Sequence, residues 1–326
     1  LIKPTKDGGY APGLATEWSL SDEARRLALT LRPGVTFQDG TPFDAEAVKA
    51  NIEATKASRS PVARNLSVVD RVEVIDDTHV VLHLNAPGGH LAGVLASETG
   101  MMISPASLSA PDLATRPVGT GPFRLTELTG GRTTYTKWDG YWNADAIAID
   151  GIEIYGFPED VARMSALRSG ELDAAFLFPS QIEQAEQAGK ATTVSPRTYF
   201  HGLILNTSRS EFSNPLVRQA IDLAINRTAI ADSLYDGQCV PTRRPYPDGY
   251  WAAAENPDPP RYDPERARQL LAEAGLTNGF TFTLTVSNIT TFQRLGEVLQ
   301  GELGTIGITV GLNVVDNPQL TAIRQA

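Results

Sequence analysis

Hydrophobic positions in the first third of the chain recur every second residue. Leu27, Leu29 and Leu31 alternate with Ala28 and Thr30, and Pro33-Gly34 then turns the chain. Residues 71–87, RVEVIDDTHVVLHLNAP, read as a β-hairpin with Asp76-Asp77 in the turn. Between these β regions the period lengthens. Ala47, Val48 and Ile52 space as one helical face, with Asp44 placed to cap it. Residues 125–138, LTELTGGRTTYTKW, form two further β runs around Gly130-Gly131.

From about Ile152 strand and helix patterns alternate. IEIYGF (152–157) reads as a strand, EDVARMSALRSG (159–170) as a helix closed by Gly170, and ELDAAFL (171–177) as a second strand. The late segment repeats the plan: a strand at 280–286, a helix around 292–303 and a strand at 308–315. Such βαβ crossovers are right-handed and build α/β layers. Two more helices are marked by Asn214-Pro215 and by Asp263-Pro264, the latter ending at Gly275. Residues 198–206, TYFHGLILN, read as an apolar strand linking two lobes, and 240–263 as a long Pro-rich surface loop on a binding rim. The expected fold is α/β and periplasmic-binding-protein-like, with two α/β lobes and a smaller α+β subdomain inserted. Residues 1–118 would be mainly the subdomain, 119–206 part of the first lobe and 207–326 part of the second.

Bulk composition narrows the function classes. A chain of 326 residues, 41% hydrophobic, can bury two cores. The net charge is −10 and Lys and Arg form no cluster, so nucleic acid is not an expected partner. Cys239 is the single cysteine, which rules out an internal disulfide and any Cys/His zinc spacing. No run of 18 apolar residues occurs and no signal-peptide pattern is visible. The chain starts and stops in what reads as mid-domain text, so both ends are expected to be cut.

PVGTGPFRL (117–125) tests for a phosphate cradle and fails. Gly119 and Gly121 lack a third glycine or a following Gly-Lys-Ser/Thr, and β runs rather than a helix come next. The stretch reads as structural, with glycine for unusual backbone angles and close approach, and with Phe123 packed as core. His79 and His83 are four apart in a strand, roughly 13 Å, too far to share a metal ion. No His-Glu-x-x-His, Gly-x-Ser-x-Gly or EF-hand spacing is found. No catalytic residue, metal site or cofactor is expected. In open α/β sheets ligands lie beyond the carboxyl ends of the strands. That rule nominates Phe178 and Ser180 after the strand ending at Leu177, and Asn288, Thr290 and Phe292 after the one ending at Val286. Tyr199 and His201 are nominated at the crossing between lobes.

Four blocks taken together resemble family 5 extracellular solute-binding proteins, the peptide, dipeptide and nickel binding components of ABC importers. They are residues 12–53, PVGTGPFRL followed by KWDGYW, NPLVRQAIDLAINRTAI, and YDPERARQLLAEAGL, in that order. The resemblance runs from about Pro12 to Val315. It implies two lobes that close on a ligand, a small polar solute such as a peptide, permease subunits as partners, and a periplasmic or extracellular, surface-anchored location. A monomer is expected. It also implies, for dipeptide binders, a carboxylate-gripping arginine before the late helix. Here that loop is SNITTF, and Arg294 falls inside the predicted helix, so the role is not carried to it. A sensory binding domain of the same fold, or a binder of a nickel chelate or oligosaccharide, is the alternative reading.

Overall fold

The computed structural model describes residues 1–6, 8–157, 159–193, 200–244, 246 and 261–325. The chain divides into two compact units, Leu1–Gly156 and Phe157–Ala326.

In the first unit, β1 (Ile2–Pro4) and β2 (Tyr10–Pro12) pair antiparallel. Strands β3 (Ala15–Ser21), β4 (Arg26–Leu31), β5 (Val69–Asp76) and β6 (His79–Leu84) form an antiparallel sheet in the order β3-β4-β6-β5. The alternation in β4 does what its period requires: Leu27, Leu29 and Leu31 are buried while the residues between them are partly exposed. Helix α1 (Ala45–Ala57) packs on β5 and β6. Asp44 caps it, its Oδ1 accepting from the Ala47 amide at 2.8 Å. Val48 and Ile52 from α1 join Leu29, Leu82, Phe37 and Phe43 in one core, the two phenyl rings meeting edge-on at 6.0 Å. A short α2 (Leu91–Leu95) follows. A second antiparallel sheet, β7 (Phe123–Leu128), β8 (Arg132–Lys137) and β9 (Gly151–Tyr155), completes the unit.

The second unit is mostly helical around one parallel pair. Its helices are α3 (Asp160–Ser169), α4 (Ile182–Gln187), α5 (Ser210–Ser213), α6 (Pro215–Ala224), α7 (Arg227–Tyr235) and α8 (Pro264–Glu273). Then come β10 (Thr281–Ser287), α9 (Thr290–Gly304), β11 (Thr309–Val315) and α10 (Asn317–Gln325). β10 and β11 pair in parallel from Thr281↔Thr309 to Ser287↔Val315, so the late βαβ unit forms as its periodicity demands. The caps also form: Asn214 accepts from the Leu216 amide and Asp263 from that of Arg266. Gly170 and Gly275 follow their helices with φ of +81° and +79°. Val217, Ile221, Leu271, Leu303 and Ile308 build the core of this unit.

Three expectations are corrected. The earlier βαβ unit does not form, because β9 pairs antiparallel with β8 and residues 171–177 adopt no strand. A strand needs a ladder partner, and this segment instead runs off α3, with the Leu172 amide donating to the Ala166 carbonyl at 3.2 Å. Residues 200–206 likewise form no strand, although Leu203 and Leu205 still face the core and Ile204 points out. Thr198 and Tyr199 lie outside the described residues. Finally, neither Gly119 nor Gly121 has a positive φ, and a Cβ on either would meet nothing closer than 3.6 Å. The stretch is held by Gln38 instead, whose Nε2 donates to the carbonyls of Gly121 and Phe123 at 3.1 and 2.8 Å. Phe123 is half-buried at the start of β7 rather than in the core.

Truncating Leu29, 1% exposed at the centre of β4, is expected to cost about 2–5 kcal/mol. Chemical denaturation of Leu29→Ala against the parent chain measures it.

Candidate functional site

The parallel pair sets the site. Both strands end in loops that knit together: the Asn288 amide donates to the Val315 carbonyl at 2.8 Å, and Ser287 Oγ to Asn317 Oδ1 at 2.7 Å. Gln293 Nε2 folds back onto the Asn288 carbonyl at 2.7 Å. The side chains of Asn288 and Thr290 are thereby left exposed at the carboxyl end of β10. α9 then descends close against the sheet. Gly296 permits this, since a Cβ there would crowd Val286 and Leu312 at 3.2 and 3.3 Å.

The first turn of α9 carries Phe292, whose ring meets that of His201 at 5.1 Å. His201 meets Tyr235 at 5.3 Å on another side, and its Nδ1 lies 2.5 Å from Tyr235 Oη. Tyr235 is the last residue of α7 and is 4% exposed. Two nominated residues, His201 and Phe292, are thus in ring contact, joined by Tyr235, which the sequence reading missed. His201 as a whole is exposed, but its ring is flanked on two sides, and that cover lowers its pKa from the usual 6.5. The cover therefore favours the neutral imidazole.

α7 packs against α9 and also against the one-turn 3-10 segment Pro179–Gln181, which follows Phe178. The two nominated loops therefore share α7 as a neighbour. Phe178 itself belongs to a second cluster. Its ring meets Phe176 at 5.4 Å and lies 5.9 Å from the Arg163 guanidinium. Arg163 also donates to the Phe176 and Phe157 carbonyls and to Asp160, so one arginine shapes the loop that a strand ladder does not. Gln181 ties the same loop to α3 through the Asp160 carbonyl at 3.0 Å. Ser180 is exposed beside it. Tyr199 falls outside the described residues.

The base of α7 is braced by charge. Asp222 accepts from Arg227 at 2.6 Å and pairs with Arg243 at 2.5 Å, all three side chains about a fifth to a quarter exposed. Glu302 receives the Asn226 amide at 3.2 Å, and burial raises its pKa.

Among the described residues no group of three or more His, Cys, Asp and Glu side chains could hold a metal ion. His79 pairs with Asp76 and His83 with Glu73, each histidine on its own carboxylate. Burial pushes the Cys239 thiol up, away from a reactive thiolate. The first unit holds a pocket of about 140 Å³ bordered by Thr120, Gly121, Tyr141 and Trp142, with Arg32 4.2 Å and Lys3 4.9 Å from the Trp142 ring. Ligand sites usually enclose about 300–1,000 Å³, so this pocket is too small for a peptide.

Residues 9–326 match the model of the bacterial extracellular solute-binding proteins, family 5 middle. The chain belongs to that family. Family 5 relatives include the glutathione-binding protein GsiB of Pectobacterium atrosepticum, 34% identical over 322 residues, and GsiB of Escherichia coli K12, 34% identical over 324. Each match covers 95% of this chain, which spans 62% of the length of these curated relatives. Among solved structures, AgaA of A. tumefaciens R10 with agropinic acid superposes with a TM-score of 0.87 at 29% identity, covering 98% of this chain and 67% of that one. DppA of Helicobacter pylori with peptide STSA gives 0.84 at 25%, covering 98% and 68%. The fold is thus that of the periplasmic binding proteins, mixed α/β in content. Among the described residues no helix is long and apolar enough to cross a membrane.

Two outcomes test this geometry. The His201 ring should titrate below 6.5 in NMR spectra; folding lowers its pKa, so its contribution to stability is complete above 6.5 and is lost as the pH falls beneath it. Asp222→Ala should destabilise the second unit by about 1–3 kcal/mol, read by chemical denaturation, because two arginines lose their shared acceptor.

Proposed function

We propose that this chain is the ligand-capturing part of the solute-binding component of an ABC importer, taking a small polar solute, most simply a short peptide, without altering it chemically. The ligand is held in the cleft of the family fold and trapped by lobe closure, because contacts made to both lobes stabilise the closed state by differential affinity. Residues 1–118, 119–206 and 207–326 serve in this reading as inserted subdomain, first-lobe part and second-lobe part. The protein works as a monomer, periplasmic or extracellular and anchored at the surface, and hands its solute to permease subunits.

The observation that carries this reading is the meeting of Phe292 and His201 beyond the carboxyl end of β10, beside exposed Asn288 and Thr290. Aromatic faces, a neutral imidazole and small polar groups suit an uncharged peptide backbone, where main-chain hydrogen bonds give affinity with little side-chain selectivity. Phe178 and Ser180, from the loop and turn packed against α7, are assigned to the same ligand region in this reading, as is Tyr199, which lies outside the described residues. Arg294 is exposed on α9 and supplies no carboxylate grip in this scheme. The relatives named for glutathione, a modified tripeptide, and the neighbour holding STSA support a peptide over a nickel chelate or oligosaccharide.

Calorimetry of the full-length protein with glutathione and tetrapeptides should show saturable binding, with the ligand recovered intact by mass spectrometry. Phe292→Ala should weaken it about tenfold or more. Hydrolysis at enzyme-like rates, or unchanged affinity in the variant, would contradict the proposal.

A further inference from the structure

The pocket of about 140 Å³ in the first unit is bordered by a cation, hydroxyls and a tryptophan, and by no carboxylate. Lys3, Gly13, Thr120, Tyr141 and Trp142 stand around it. The Lys3 ammonium lies 4.9 Å from the Trp142 ring centroid, and the Arg32 guanidinium lies 4.2 Å from the same ring. Gly13 permits this crowding, since a Cβ there would stand 2.6 Å from the Leu1 carbonyl oxygen and 3.4 Å from Lys3 Cγ. Arg32 is fixed through Nε, which donates to the Gly13 carbonyl at 3.1 Å. Thr120 is 8% exposed. Tyr141 keeps its phenolic proton, because burial raises its pKa against the opposing pull of Arg32. Among the described residues no carboxylate pairs with Lys3 or Arg32, and the side-chain hydroxyls of Thr120 and Tyr141 have no hydrogen-bond partner.

A cation on an aromatic face gains modestly from the ring quadrupole, while two like charges at one ring repel. Buried hydroxyls in folded proteins are nearly always paired. The chain has a net charge of −10, so carboxylates are plentiful, yet none is placed here. What the set lacks is a negatively charged acceptor. We propose that this pocket is a binding site for a free small oxyanion, the size of acetate or phosphate, held by the Lys3 ammonium and the Thr120 and Tyr141 hydroxyls beside Trp142. Such an anion would accept a charge-assisted hydrogen bond from Lys3 and satisfy both hydroxyls at once. Arg32 is a positioning residue: it stacks on Trp142 and adds positive potential without bordering the pocket. A cavity of about 150 Å³ holds a benzene-sized molecule, so this one admits an acetate and excludes a tripeptide. The site is built within the first unit and does not rest on the peptide reading, which draws on His201 and Phe292 of the second.

The test titrates the full-length protein, labelled with 5-fluorotryptophan, with sodium acetate and separately with phosphate at constant ionic strength. Trp142→Phe assigns the Trp142 resonance. At least one of the two anions should shift that ¹⁹F resonance saturably at millimolar concentration, while the Trp18 and Trp138 resonances stay in place. Lys3 is exposed on β1, so Lys3→Met keeps the fold and should weaken binding about tenfold. Thr120→Val should weaken it several-fold. Lys49→Met on α1 changes the net charge equally and should leave the affinity as it was. An equal, unsaturating drift of all tryptophan resonances with both anions overturns the proposal, as does parent affinity in Lys3→Met. Glutathione that displaces the anion from Trp142 also overturns it, because the pocket would then belong to the solute's own site.

Discussion

The parallel pairing of β10 with β11 is the constraint on which the second unit depends. A parallel ladder obliges the chain to cross over the sheet face, and the crossover here is α9. Because the helix must start where β10 stops, the first turn of α9 stands at the carboxyl end of the sheet. That places Phe292 at the level of the extended segment carrying His201. Packing then holds the arrangement: Gly296 brings the helix down on Val286 and Leu312, and Leu299 and Leu303 bury the same face. The aromatic cluster follows from a strand pairing rather than from any property of its own residues.

Function in this fold is a matter of loops on a common frame. Neighbours at 25–29% identity superpose with TM-scores of 0.84 and 0.87 yet carry a tetrapeptide and agropinic acid. Shared architecture does not name the solute. In this chain those side chains offer rings, amides and hydroxyls, with a neutral histidine among them. Groups of this kind can hydrogen-bond and stack, and the family is one of binding proteins.

Much of the frame was legible because local signals and tertiary outcome agree. The Leu27-Leu29-Leu31 alternation, the caps at Asp44, Asn214 and Asp263, and the late βαβ unit each state their structure within a few residues. The segments 171–177 and 200–206 were misread for one reason: composition reports a preference for extended backbone, but a strand also requires a partner, which is a non-local fact. The glycines of PVGTGPFRL misled in the opposite way, since their backbone angles are ordinary and a remote residue, Gln38, does the holding. Within the site, His201 and Phe292 were nominated by topology alone. Tyr235 was hidden as one more apolar helix position, and only the need of a buried phenol for a partner signals it.

The most direct measurement is a map of ligand contacts by NMR on the full-length protein, with selectively labelled aromatic and histidine rings. Addition of glutathione should shift the Phe292 and His201 ring resonances and give intermolecular NOEs to them, leaving Trp142 unchanged. NOEs to Trp142 and Tyr141 instead, with the Phe292 and His201 rings silent, would contradict the account.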